Sequence, residues 1–167
     1  MRPTTATLPP FGALVEAHGD AVARFLRGML RPDDVEDALQ ETLLAALRAY
    51  PRFDGANTRA WLLTIARRKA IDEGRAARRR PAHLAEPDSR PAASGGSPLG
   101  RSSALWEAVG RLPDKQRAAV VLRFALDLRY REIGLAIDCS EAAARRSVHE
   151  AIKSLRKSDE IEMEAVR

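Results

Sequence analysis

The 167-residue sequence is short of the groups that staple, anchor or arm many small proteins. It has one cysteine, Cys139, so no intramolecular disulfide can form and a reducing compartment is expected. Aromatic residues make up only 5% of the chain, and no alternating strand pattern of useful length occurs. With Ala and Leu abundant, this favours helix over strand. No run of about 18 apolar residues is present, and the opening MRPTTATLPPFG has no apolar signal-peptide core. The expectation is a soluble cytoplasmic protein without a membrane span. His18, His83 and His149 lie in three different segments, and no spacing suits a metal site. There is no phosphate-binding glycine loop and no nucleophile elbow. Cys139 has no nearby histidine and reads as turn packing. The expectation is therefore a protein that is not an enzyme and uses no cofactor.

Hydrophobic residues make up 45% of the chain, enough for a core, and the formal charge of +5 permits a polyanionic partner. Residues 1–10 are Pro/Thr-rich and expected to be unstructured. Phe11 to His18 and Asp20 to Leu30 read as two helices, separated at Gly19 with Asp20 as N-cap. Val22, Phe25, Leu26 and Met29 form the apolar stripe of the second. Arg31-Pro32 stops it. Asp33 and Asp34 open a helix to about Tyr50, with Val35, Leu39, Leu43 and Leu47 expected to face inward. Asp54-Gly55 marks a turn, and Asn57 can cap a helix carrying Trp61, Leu62, Ile65, Ala66 and Ile71. Trp61 reads as core more readily than as a platform for a stacked base.

Residues 81–103 hold four of the ten prolines and three of the ten glycines. Such a segment buries too little apolar surface to offset its ordering entropy, so a flexible linker is expected. Beyond it, LPDKQRAAVVLRFALDLRYREIGLAIDCSEAAARRSVHEAIKSLRK gives an apolar helix, a short helix from Arg129 to Ile137, a turn at Asp138, Cys139 and Ser140, and a longer helix. That order is a helix-turn-helix, whose second helix can lie in a DNA major groove. Ala144, Val148, Ala151, Ile152 and Leu155 make its inward stripe. Ser140 is placed as N-cap, and Glu141, Ala142, Arg145 and Arg146 follow where base edges and phosphates are reached. A solvated amphipathic helix carries similar charges.

Two further charge clusters stand out. Asp34, Asp37 and Glu41 share a helix face; they read either as helix-dipole capping with a solvated face or as a docking face for a basic partner. Arg67, Arg68, Lys69, Arg75, Arg78, Arg79 and Arg80 put seven cations in fourteen residues. They suit phosphate neutralisation, or a solubilised helix end.

Two segments together resemble one family. Asp33 to Arg80, with E-D-x-x-Q-E at Glu36 to Glu41 and W-L-x-x-I-A-R at Trp61 to Arg67, is similar to conserved region 2 of sigma-70 factors of the extracytoplasmic-function type. The segment from Leu112 to Lys157 resembles their region 4, and region 3 is missing as in that group. The resemblance implies an all-α fold of two small helical domains. Region 2, a helical bundle, falls at 11–80 and region 4, the helix-turn-helix, at 104–157; the linker is 81–103 and an acidic tail spans 158–167. It implies a transcription initiation factor that binds core RNA polymerase, at the clamp coiled coil of the largest subunit and at the flap, and directs it to promoter DNA. An anti-sigma factor is the further partner expected. Asp34, Asp37, Gln40 and Glu41 would contact polymerase. Asp54, Asn57, Thr58, Arg67, Arg68 and Arg75 would open and read the −10 element. Ser140, Glu141, Ala142, Arg145, Arg146, His149 and Lys153 would read the −35 element. The chain departs from the family pattern at Arg68, where Asn is frequent and which bears on −10 preference, at Asp138, where the turn usually carries Gly, and at Ser147 and Glu150, where Arg is usual; the last two shift the expected −35 contacts toward Arg145, Arg146 and Lys153. The rival readings are a helix-turn-helix regulator acting without polymerase and a degenerate sigma-like chain that sequesters a regulator.

Overall fold

The computed structural model describes residues 8–79 and 103–165. Residues 1–7 and, apart from Ser103, the expected linker lie outside that range. The described residues form seven α-helices and no strand. Helices α1 (Phe11–Met29), α2 (Pro32–Ala49) and α3 (Thr58–Arg79) pack as one unit. Helices α4 (Ser103–Arg111), α5 (Asp114–Phe124), α6 (Tyr130–Ala136) and α7 (Glu141–Ala165) form the second.

The expected break at Gly19 is absent: α1 is one helix of 19 residues. A glycine inside a helix costs about 1 kcal/mol, and here burial outweighs it. Leu14 lies before Gly19, and Val22, Phe25, Leu26 and Met29 lie after it, all buried on the same helix. Asp20 is accordingly not a cap; its carboxylate pairs with Arg24 one turn on, at 3.1 Å. The stop at Arg31-Pro32 holds. Arg31 is extended, as a residue before proline prefers, and Pro32 supplies the first helical position.

The inward face of α2 also differs from the apolar pattern. Its buried residues are Ala38, Thr42 and Ala46, one every fourth residue. Val35, Leu39 and Leu43 are only half-buried, and Leu47 is 48% exposed. Small side chains let α2 approach its neighbours closely, and the leucines flank that seam. Thr42 satisfies its hydroxyl by donating to the Ala38 carbonyl at 2.7 Å.

The helix-turn-helix is built as its residues dictate. The Glu132 carboxylate accepts the Arg129 backbone N–H at 2.9 Å and opens α6. At the other end Asp138 takes the left-handed conformation, φ 55°, and the Cys139 N–H reaches back to the Gly134 carbonyl at 2.8 Å. This is the Schellman closure, here with Asp where glycine is usual. Ser140 Oγ then accepts the Ala143 N–H at 3.2 Å, so the expected N-cap of α7 is in place. Gly134 is required by close approach: a Cβ there would sit 2.6 Å from the Cys139 carbonyl oxygen. Gly134→Ala is expected to force the turn apart and cost about 1–3 kcal/mol, read as a lowered melting temperature; an unchanged one would contradict this packing.

Ala144, Val148 and Ala151 are buried and Ile152 and Leu155 half-buried, so the inward stripe of α7 is the one expected. The helix does not end at Lys157 but runs to Ala165, through most of the acidic tail. Helix α5 buries five consecutive residues, Ala118 to Leu122. A helix buried on every side has neighbours on every side: α5 packs on α7 within its own unit and on α1 of the other. The two units share one continuous apolar core.

Candidate nucleic-acid and polymerase interface

Three faces carry the charge clusters. On α2, Asp37, Gln40 and Glu41 are exposed and Asp34 is half-buried. Glu41 pairs with Lys69 of α3 at 3.1 Å, and Gln40 donates to Glu36 at 3.2 Å. Leu44 and Leu47, 52% and 48% exposed, continue this face toward the helix end, so it is acidic at one end and apolar at the other. The acidic string is legible in the sequence; Leu47 is not, because its spacing matches an inward stripe, and no motif singles out Leu44.

The second face begins at the loop before α3. Asp54 accepts the Ala56 N–H at 2.9 Å, closing an Asx turn. Gly55 and Asn57 are left-handed, φ 83° and 47°, and the Asn57 carbonyl accepts the Trp61 N–H. Asp54 and Asn57 are exposed, Thr58 half-buried. The loop folds onto aromatic rings: Phe53 stacks on Trp61 with centroids 4.2 Å apart, and Tyr50 lies 6.3 Å from each. Trp61 is thus half-buried, neither sealed core nor open platform. A cleft of about 470 Å³ opens beside it, lined by Phe53, Asp54, Asn57, Trp61 and Thr64 and, from the other unit, Leu135. That volume lies within the roughly 300–1,000 Å³ range of ligand clefts.

From Trp61, at about 100° per residue, Thr64, Arg68, Arg75 and Arg79 continue the same side of α3. Arg68, Arg75 and Arg79 are exposed. Arg67 is not with them: it lies about 100° round the helix from Arg68, half-buried, its Nε without a hydrogen-bond acceptor among the described residues. The side chains of Arg78 and Arg80 lie outside the described range. Arg59, which no sequence motif singles out, donates to the Leu126 carbonyl at 2.9 Å. Burial, and then the charge of Arg59, hold the His18 imidazole below its ordinary pKa.

The third face is on α7. Ser140, Glu141, Ala142, Arg145, Arg146, His149 and Lys153 are all exposed. Ala142, Arg145, Arg146, His149 and Lys153 form one stripe, opposite the buried Ala144, Val148 and Ala151. Arg145 is braced: it pairs with Glu141 at 3.2 Å, and its guanidinium lies 4.8 Å from the ring centre of Tyr130, which Arg123 approaches at 5.3 Å. Among the described residues, no group of acidic, His and Cys side chains could hold a metal ion, and no helix is long and apolar enough to cross a membrane.

An all-helical fold with an acidic helix face, a basic helix and a helix-turn-helix defines the class of helical DNA-binding proteins. Comparison with known proteins makes this specific. The sigma-70 region 2 family matches residues 14–80, and the sigma-70 region 4 family matches residues 102–155. The chain is 35% identical to the ECF RNA polymerase sigma factor ShbA of Streptomyces griseus, over 73% of this chain and 70% of that one. It is also 35% identical to the ECF RNA polymerase sigma factor SigF of Caulobacter vibrioides, over 80% and 75%. Among solved structures, CnrH in complex with the cytosolic domain of CnrY is similar at 26% identity and a TM-score of 0.65, over 88% of this chain and 85% of that one. The sigma factor RpoE of Bartonella quintana, solved with the anti-sigma factor NepR, shares the fold at 23% identity and a TM-score of 0.71, over 92% and 99%. The chain belongs to the sigma-70 family, with the extracytoplasmic-function sigma factors as its relatives. As a sigma factor it directs RNA polymerase to promoters.

Proposed function

We propose that the work of initiation is divided among the three faces. The α2 face of Asp34, Asp37, Gln40 and Glu41 docks on a basic surface of core polymerase, with Leu44 and Leu47 extending the contact. The cleft beside Trp61 takes an extruded base of the −10 element, and Asp54, Asn57 and Thr58 line its entry. Arg68 and Arg75, with a smaller part for Arg67, hold the strand backbone. The α7 stripe reads the −35 element in the major groove, with Arg146, His149 and Lys153 reaching outward and Arg145 held on Tyr130. The observation that carries this reading is the exposure of every polar residue expected on the α7 stripe, opposite a buried apolar seam. The chain performs no chemistry of its own; the polymerase does. A cytoplasmic location suits its single cysteine, and an anti-sigma factor is the regulator we expect. CnrH, similar over both units, was solved with the cytosolic domain of CnrY.

The salt dependence of promoter binding tests the α3 face. Each phosphate contact on a single strand contributes about 0.7 to the slope of log affinity against log salt. Replacing Arg68 and Arg75 with Ala in the polymerase-bound protein is expected to flatten that slope by about 1.4 units. Adding Arg67→Ala changes it less than either single replacement, since Arg67 lies off the stripe. An unchanged slope in the double variant removes the α3 face from DNA binding.

A further inference from the structure

The chain enters α1 through Leu8, Pro9 and Pro10, which are expected to be unstructured and are instead held in place. Leu8 and Pro9 each precede a proline, which favours extended backbone, and Pro10 is extended at φ −51° and ψ 139°. Such a run is stiff, and its prolines offer carbonyls but no N–H. The carbonyls of both prolines are used. That of Pro10 accepts the Ala13 N–H at 3.0 Å and fixes the segment to the start of α1. That of Pro9 accepts the hydroxyl of Tyr50, at the end of α2.

The same segment reaches the loop before α3. Gly55 of that loop is left-handed, and a Cβ on it would lie 3.1 Å from Leu8 Cδ2. The Leu8 side chain thus rests on loop backbone that has no side chain of its own. Leu8 is half-buried there without belonging to the apolar core that the helices share. Phe11, the first residue of α1, meets the Tyr50 ring edge-on with centroids 5.3 Å apart. Tyr50 in turn lies against Phe53 and Trp61, two of the residues lining the cleft. Neither Leu8 nor Tyr50 lines the cleft itself. The segment therefore acts on the loop and not directly on a captured base.

An exposed loop with two left-handed residues, Gly55 and Asn57, loses entropy when it is fixed in one conformation. A contact that fixes it before the ligand arrives removes that cost from binding. We infer that Leu8 and Tyr50 are positioning residues for base capture: the Leu8–Pro10 segment, tied to α1 and to the Tyr50 hydroxyl, clamps the loop at Gly55 in the shape that receives the strand. This rests on the assignment of the α3 loop to the −10 element. The step governed is strand capture, which is distinct from docking on polymerase. Loss of the clamp should slow capture and leave docking alone.

The test uses the full chain with Leu8→Ala, with Tyr50→Phe, and with both. Tyr50→Phe keeps the ring and removes only the hydroxyl, so the fold should hold in every variant. Hydrogen exchange of the free proteins is expected to show the Ala56 amide, which donates to Asp54, exchanging about fivefold faster in each single variant and about tenfold faster in the double, with α7 amides unchanged. The second reading uses core polymerase and a promoter fragment from a start site that the wild type confers, with 2-aminopurine in its −10 element. Its fluorescence should rise about tenfold more slowly with the double variant, while affinity for polymerase is unchanged. Leu8→Met, which keeps an apolar contact on Gly55, should restore the wild-type exchange and rate. Equal Ala56 exchange in wild type and double variant would overturn the inference, as would faster exchange with an unchanged rate. Asn57→Ala separates the two ideas. If it slows the fluorescence rise and the double variant does not, the clamp fails and the −10 assignment stands. If Asn57→Ala has no effect, or no start site appears, the −10 assignment fails and the positioning role falls with it.

Discussion

An Asp37→Arg chain is expected to bind core RNA polymerase at least 100-fold more weakly than wild type. Asp37 is exposed at the centre of the α2 face, between Asp34 and Glu41. Reversing its sign changes the local charge by two units where a basic partner surface is expected, and like charges brought together across an interface cost several kcal/mol; about 2.7 kcal/mol is a factor of 100. The fold should not notice, because exposed substitutions away from caps and ion pairs stay within about 0.5 kcal/mol. Titration of labelled core polymerase with wild type and variant measures the effect, with thermal unfolding as the control. An unchanged affinity in a folded variant would remove the α2 face from polymerase binding. It would also revive the rival of a helix-turn-helix regulator that works alone, since such a regulator has no need of this acidic face.

Val148→Asp should unfold the second unit. Val148 is 2% exposed, on the α7 seam between Ala144 and Ala151. A carboxylate there has no cation within the apolar seam to pair with, and an unpaired buried charge must be protonated or drag water in. The cost, about 3–5 kcal/mol, is a large part of the total stability of a small domain. Circular dichroism should show loss of helix from the second unit at 25 °C, and −35 recognition should vanish with it. His149→Ala, one residue on and facing outward, should leave stability within about 0.5 kcal/mol while weakening promoter affinity. A well-folded Val148→Asp protein would mean that the recognition face of α7 has been drawn on the wrong side.

The contrast between Val148 and His149 shows what a sequence can carry. On α7 apolar and charged residues alternate with a 3.6-residue period, the helices that pack on it, α4, α5 and α6, take the apolar side, and the stripe is readable from the residues alone. On α2 the same logic chooses the wrong residues. Val35, Leu39, Leu43 and Leu47 have helical spacing, yet the seam is made by Ala38, Thr42 and Ala46, because close helix approach selects small side chains that hydropathy ranks low. Gly19 misleads in the opposite direction: glycine is a local signal, and the apolar contacts of Leu14 and Val22 on either side override it. The α3 arginines are legible as a cluster but not as a surface; only helix phase separates Arg67 from Arg68. The joint between the units has one trace in the sequence, the unbroken AAVVL run from Ala118 to Leu122. The carbonyls that Arg59 and Arg117 seek lie 67 and 88 residues away along the chain. No local pattern announces contacts of that span.

As a sigma factor, this chain selects where RNA polymerase starts. The most direct measurement is transcription of genomic DNA fragments from the source bacterium by purified core polymerase, with and without the chain, followed by mapping of the new RNA 5′ ends. Discrete start sites are expected that appear only with the chain, share a pair of upstream sequence elements, and disappear with Asp37→Arg. Start sites that are the same with and without a folded chain would contradict that expectation.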